Sequence, residues 1–258
     1  MLGVERTGRI ADKLIGEVAS HLQRAERVLF ITGAGISADS GLPTYRGVGG
    51  LYDDVLTDDE LPIEVALSGT MLRARPVLTW KYVLEIEKAC RGAAPNRGHE
   101  LIAAIEKQKP ETWVLTQNID GFHRRAGSQN LIEIHGHLLD LQCTLCDWEE
   151  EVANFSHLAL PPKCMRCNGP IRPDVVFFGE MLPEEKIEKL YREMERGFDM
   201  VFSVGTTSVF PYISEPVLTA RRAGVPTVEI NPGETDISEL VDYRLRMGAA
   251  EAMAALVD

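Results

Sequence analysis

Four cysteines in two close pairs are the residues of this chain whose spacing points most directly to chemistry. Cys143-x2-Cys146 and Cys164-x2-Cys167 stand 17 residues apart. Two tight C-x-x-C turns bring four thiolates together, the tetrahedral set that Zn²⁺ takes in a two-knuckle ribbon. Four thiolates leave no open coordination position, so the zinc expected here is structural and supplies folding energy to a module too small to build its own core. Cys90 stands alone in an expected helix and reads as a packing or surface residue. The second pattern is GAGISA (33–38), which fits G-x-G-x-x-A. After a strand and before a helix, such glycines permit a tight turn and let the backbone approach a pyrophosphate at the helix N-terminus. Glycine-rich turns of this kind also occur without a ligand. A ribose-binding acid is expected about 20 residues further on. Asp53 and Asp54 stand there, but with no strand ahead of them, and are not assigned to the ribose.

The elements around these residues alternate. An amphipathic helix over 8–25 is followed by the strand RVLFIT (27–32), which ends on the glycine turn. Residues 40–59 hold four glycines, a proline and four aspartates, a long loop with little to pack and a candidate for mobility. Residues 61–90 read as helical, broken near Pro76, and 95–108 as a helix. WVLT (113–116) and LIEIHG (131–136) read as strands. Strands at 175–178, 199–205 and 226–231 then alternate with helices at 184–196, 213–223 and 248–257. Apolar strands alternating with helices predict an α/β fold, a doubly wound, parallel, Rossmann-like sheet with the small zinc-ribbon module inserted. The expected division is one catalytic domain over 1–258. Its Rossmann-like part spans 1–60, 92–138 and 175–258, its helical and cofactor-loop insertion 40–91, and its zinc module 139–174.

Bulk properties narrow the function. The chain has 258 residues, 45% hydrophobic and 26% charged, an ordinary globular composition. A net charge of −12 argues against direct nucleic-acid binding and would steer a basic peptide toward the protein. No run approaches the ~20 apolar residues of a membrane span, and the charged start is not a secretory signal. Paired cysteines in an unsecreted chain favour metal over disulfides, which predicts a cytoplasmic protein.

Seven motifs in order then resemble the sirtuins. They are GAGISADSGLPTYRG (33–47), TQNIDGFHRRAG (116–127), EIHGH (133–137), the four cysteines, VVFFGE (175–180), VGTTS (204–208) and EIN (229–231). The resemblance covers most of the chain from about residue 25 onward. It implies an NAD-dependent protein-lysine deacylase, a deacetylase above all, acting on acyl-lysine proteins. By that resemblance Gly33, Ala34 and Gly35 cradle the NAD pyrophosphate, and Thr44, Tyr45 and Arg46 belong to the cofactor loop. Gln117, Asn118, Ile119 and Asp120 form the nicotinamide and ribose pocket, Asp120 accepting from the carboxamide. Gly205, Thr206 and Thr207 meet phosphate and ribose, and Asn231 and Ala250 approach the adenosine end. Phe178, Gly179 and Glu180 on one side and Val209 and Phe210 on the other resemble two edges that clamp an extended peptide by backbone pairing. His135 matches the catalytic histidine, with Asn118 beside it. His137 has no such support and reads as structural, and His99 and His123 are given no chemistry.

The implied reaction explains these residue types. Cleavage at nicotinamide develops positive charge on the ribose, the acyl oxygen attacks that carbon to give an alkylimidate, and a base activates a ribose hydroxyl to move the acyl group. Histidine, with a reference pKa of ~6.5, is largely neutral at pH 7 and suits that base. Three places depart from the family pattern: Tyr45 where phenylalanine is commoner, Pro211 reached one residue sooner than in most relatives, and the segment 75–88. Sirtuins that remove succinyl or malonyl groups carry a tyrosine and an arginine there, where this chain has Val83 and Ile86. A buried acyl carboxylate would be left without a cation. ADP-ribosyl transfer, NAD hydrolysis and a non-enzymatic NAD or ADP-ribose sensor are the alternatives. The last needs binding but no base.

Overall fold

In a computed structural model of the chain, the described residues are 2–44 and 56–257, with side chains from residue 12. Tyr45, Arg46, Asp53, Asp54 and most of the glycine-rich loop lie outside them.

The apolar runs become the strands of a parallel sheet. β1 (Val28–Thr32) is buried along its whole length. It lies between β2 (Trp113–Thr116) and β7 (Met200–Val204). β3 (Leu131–Glu133), β8 (Thr227–Ile230) and β9 (Tyr243–Leu245) complete the order β3-β2-β1-β7-β8-β9. Side chains alternate across β1. Val28 and Phe30 face α1 (Leu2–Arg24), α6 (Arg97–Gln108) and α10 (Ala249–Val257), where Val18, Leu22, Ile102 and Met253 are buried. Leu29 and Ile31 face α8 (Glu184–Glu195) and α9 (Pro211–Arg222) through Leu190, Ile213 and Val217. Burial on both faces is why these strands read as unbroken apolar runs.

Strand order reverses between β1 and β7, since the chain builds outward from β1 to β3 and returns on the other side. Ligands bind in such sheets at the carboxyl ends of strands flanking the reversal. The glycine turn follows β1 at that point, continuing into the short helix α2 (Ala34–Ala38).

The helical stretch and the inserted module form as expected but with different boundaries. The helical stretch is three helices, α3 (Ile63–Ala66), α4 (Gly69–Ala74) and α5 (Pro76–Arg91), broken at Ser68 as well as at Pro76. Ser68 caps α4 by accepting from the Met71 amide at 3.0 Å. The cysteine segment folds as an antiparallel sheet of β4 (Gly136–Cys143), β5 (Glu149–Glu151) and β6 (Ile171–Val175). VVFF (175–178) is therefore not a strand of the parallel sheet. Val175 ends β6, and Phe178 makes an isolated bridge to Ser68. The expected strand 131–136 stops at Glu133, and Gly136 already belongs to β4. α7 (Phe122–Ala126) and β9 were not read from the sequence. The antiparallel sheet and α3–α5 share one apolar core, in which Trp80 of α5 meets Phe155 edge-on at 5.6 Å. Among the described residues no helix is long and apolar enough to cross a membrane.

Two histidines without a chemical role are buried where α6 meets α7. His99 and His123 meet edge-on with ring centroids 4.9 Å apart, and burial lowers the pKa of His99 from 6.5 to about 4. His123 is driven well below its ordinary value by burial and by its neighbour. Each is neutral when folded and free to protonate when unfolded. Their contribution is complete above pH 6.5 and is lost as pH falls from there toward 4. Urea unfolding at pH 5 should show about 2 kcal/mol less stability from His99 alone than at pH 7.5. His99→Gln, which cannot titrate, should flatten the profile by that amount, and an unchanged slope would discount His99.

Candidate active site

The carboxyl ends of five strands converge on one cavity of about 780 Å³. β1 contributes Gly33, Ala34 and Gly35, and β2 leads into Gln117, Asn118 and Ile119. His135 follows β3, Gly205, Thr206 and Thr207 follow β7, and Asn231 follows β8.

Backbone packing fixes the glycines. The Gly33 amide donates to Val204 O at 3.1 Å and the Gly35 amide to Gly205 O at 2.8 Å. A Cβ on Gly35 would lie 2.6 Å from the Gly205 Cα, and one on Gly205, whose φ is +60°, would lie 2.4 Å from the Ile36 nitrogen. The two turns touch main chain to main chain, leaving no room for side chains where the motif predicts a phosphate cradle.

The β2 end is tied to both turns. Asn118 donates to Gly33 O at 3.1 Å and to Ser37 Oγ at 3.2 Å. Gln117 Nε2 donates to Thr206 Oγ1 at 2.8 Å. Asp120 accepts from Ser37 Oγ at 2.7 Å and from the Phe122 amide at 2.9 Å, and burial raises its carboxyl pKa against these hydrogen bonds. It lines a smaller recess beside the main cavity, with Asn118, Ile119 and the thiol of Cys90. Burial pushes that thiol up to about 12.

His135 is placed by the turn between β3 and β4. Gly136, at φ +88°, passes so close to Asp174 O that a Cβ would lie 1.8 Å away. The His135 carbonyl accepts from the Val176 amide at 2.9 Å. Its Nδ1 lies 2.9 Å from Gln117 O, and a carbonyl can only accept, so the ring proton sits on Nδ1. Nε2 is thereby an acceptor, and the Tyr212 hydroxyl lies 2.7 Å from it. Burial lowers the imidazole pKa, the Gln117 hydrogen bond opposes it and Lys186 adds to it. Tyr212 had no signal in the sequence. His137 is buried away from the cavity, with Nδ1 3.1 Å from Asp140 and Nε2 against Gly121, a structural setting.

The remaining expected residues divide. Thr44, Phe178, Gly179, Glu180 and Phe210 line the cavity, as do Val83 and Ile86 of α5. Val209 is exposed and does not. The Phe178 backbone is committed, its amide to Leu67 O and its carbonyl to the Gly69 amide. Glu180 takes both arms of Arg172, at 2.8 and 2.7 Å, and the Phe177 amide at 3.0 Å. Burial raises the Glu180 pKa, and these donors overcome it and hold the carboxyl low. At the adenosine end Gly248 and Ala249 line the cavity in place of Ala250, whose amide donates to Asp39 at 3.0 Å.

Cys143, Cys146, Cys164 and Cys167 place all four sulfurs within 4.8 Å of one another. Cys143 and Cys167 lie 3.4 Å apart, Cys146 and Cys164 3.6 Å. A tetrahedral Zn²⁺ with bonds of ~2.3 Å requires sulfur separations of about 3.8 Å. The Leu145 and Gly169 amides each donate to a sulfur at 3.4 Å, which favours thiolate. The residues fit a closed structural zinc site.

Comparison with known proteins follows the same lines. The Sir2 family pattern matches residues 33–211. The chain is 58% identical to an NAD-dependent protein deacylase 2 of Pseudomonas aeruginosa, over 94% of this chain and 96% of that protein. It is 38% identical to NAD-dependent protein deacylase 1 of Archaeoglobus fulgidus, over 95% and 96%. A crystal structure of a Sir2 homologue–NAD complex superposes with a TM-score of 0.84 at 35% identity, covering 94% of this chain and 92% of that one. A Sir2 homologue mutant complexed with 2'-O-acetyl ADP-ribose matches at 0.83 and 35%, covering 93% and 94%. With its reversal-point cavity, zinc-ribbon cysteines and cavity-facing histidine, this chain belongs to the Sir2 family.

Proposed function

We propose that this chain is an NAD-dependent protein-lysine deacylase that removes acyl groups, acetyl above all, and releases nicotinamide and O-acyl-ADP-ribose. One observation carries the reading. A neutral imidazole, its Nδ1 proton fixed by a backbone carbonyl, presents Nε2 to a cavity with glycine turns at one end and an apolar wall at the other. Bound NAD supplies the electrophilic ribose carbon and the hydroxyls that receive the acyl group. The Gly33–Gly35 turn, Thr206 and Thr207 hold its phosphates, and Asn231, with Ala250 behind it, the adenosine end. Gln117, Asn118, Ile119 and Asp120 seat nicotinamide and its ribose, Thr44, Tyr45 and Arg46 belong to the cofactor loop, and His135 takes the hydroxyl proton. Gly179, Glu180 and Phe178 face Val209 and Phe210 across the acyl-lysine segment, with Glu180 shaping its edge through Arg172. The zinc holds the antiparallel sheet together, and four cysteines committed to a metal in place of disulfides suit the reducing cytosol.

The acyl wall sets the test. Among the described residues lining the cavity there is no lysine or arginine, and the acids Asp39, Glu180 and Glu234 are present. A succinyl carboxylate would lose water without gaining a cation, a penalty of several kcal/mol. Every ~1.4 kcal/mol is tenfold, so kcat/KM should favour acetyl-lysine over succinyl-lysine in one peptide by about 100-fold or more. Mass spectrometry of both peptides, with and without NAD, measures it. No NAD-dependent loss of any acyl group would refute the function, and equal use of succinyl would refute the reading of Val83 and Ile86.

A further inference from the structure

The Tyr212–His135 contact joins residues 77 positions apart and involves the one nitrogen that the proposed reaction needs. Its origin is local. Pro211 starts α9 immediately after Phe210, so Tyr212 stands in the first helical turn. Its ring stacks on Phe210 at 5.4 Å with an interplanar angle of 13° and meets the imidazole edge-on at 5.9 Å.

We propose that Tyr212 is a positioning residue whose phenol occupies the acceptor nitrogen of His135 in the cofactor-free chain, standing where a ribose hydroxyl of the cofactor must come. This inference rests on the reading of the cavity as an NAD site with His135 as base. A neutral imidazole with its proton on Nδ1 has one lone pair, on Nε2, and one strong donor at a time can use it. The phenol at 2.7 Å uses it, with Nδ1 pinned at 2.9 Å on the other side, so the ring is held in a single rotamer facing the cavity. A ribose hydroxyl that is to surrender its proton needs the same lone pair. Binding therefore exchanges one hydroxyl for another at Nε2: the phenol hydrogen bond is released and the ribose hydroxyl hydrogen bond replaces it. The exchange charges the cofactor one hydrogen bond.

The experiment is a double-mutant cycle read by calorimetric binding of ADP-ribose, which carries the ribose hydroxyls but cannot react. The four proteins are the natural chain, Tyr212→Phe, His135→Ala and the double variant. Tyr212→Phe keeps the ring and its stacking and removes only the hydroxyl. ADP-ribose should bind it about two- to tenfold more tightly than the natural chain, the range of one net hydrogen bond. In the His135→Ala background the same change should leave the affinity unaltered. Equal effects in both backgrounds would mean that the hydroxyl acts through packing and would overturn the proposal, as would weaker or unchanged binding by Tyr212→Phe. Thermal melting of each variant separates misfolding from these outcomes. Failure of the natural chain to bind ADP-ribose at all would instead strike the underlying site reading.

Discussion

His135→Ala should lower deacylation of an acetyl-lysine peptide by about 10²–10⁴-fold, the span of a lost general base. ADP-ribose should still bind within a few-fold, because the glycine turns and the Thr206 and Asn231 ends of the cavity do not depend on the imidazole. His135 is held by the Gln117 carbonyl at 2.9 Å. A carbonyl does not titrate, so the ring's orientation persists across the working pH range. Burial, the Gln117 bond opposing it, and Lys186 place the imidazole pKa below its ordinary 6.5, so the base is deprotonated at neutral pH. The acid limb of kcat/KM, which reports the free enzyme, should accordingly lie below 6.5, with a level profile above it. Turnover by the alanine variant near the natural rate would remove His135 from the reaction. A loss confined to KM would mean that the ring binds and does not transfer a proton.

Loss of zinc should have the larger effect on stability. Structural zinc binds with about 10–16 kcal/mol in small modules, as much as the whole stability of a typical domain at about 5–15 kcal/mol. Cys143 and Cys164 are buried in the same core as Trp80, Phe155, Leu141 and Ile171, so the module cannot loosen without exposing one side of α5. Cys164→Ser should therefore abolish stoichiometric zinc and lower the melting temperature by roughly 10 °C or more. Activity measured well below that melting point should fall less than the stability does. Elemental analysis of a chelator-free preparation should give one zinc per chain. No zinc, with an unchanged melting curve, would sink the assignment.

Much of this arrangement was legible in the residues. β1, β2, β7 and β8 are buried on both faces, and their largely apolar runs named themselves as strands of a parallel sheet. The cysteine spacing carried the cluster, because two knuckles fix four sulfurs by local geometry alone. VVFF misled for a physical reason: an extended segment buried by helices and loops has the same apolar signature as a sheet strand. Here Phe177 packs in the second core while Phe178 pairs with Ser68. β9 escaped because its three residues include Arg244, which reaches back to Glu229. The glycine turn suggested a phosphate cradle, but the contact of Gly35 with Gly205, 170 residues away, has no local trace. Tyr212 is the same kind of case, since neither its type nor its spacing says what it touches.

Val83 and Ile86 lie three positions apart on α5, nearly one helical turn, and both face the cavity. Neither takes part in the hydrogen bonds that tie the glycine turns together or in those that hold His135. On the proposed reading, the choice of acyl group lies on one face of α5, apart from the hydrogen bonds that hold His135. After gene duplication, two copies of such an enzyme can part company in the modification they erase by exchanging a pair of neighbouring side chains. Val83 is only 2% exposed, so whatever replaces it must grow into the cavity, where the acyl group would feel it first.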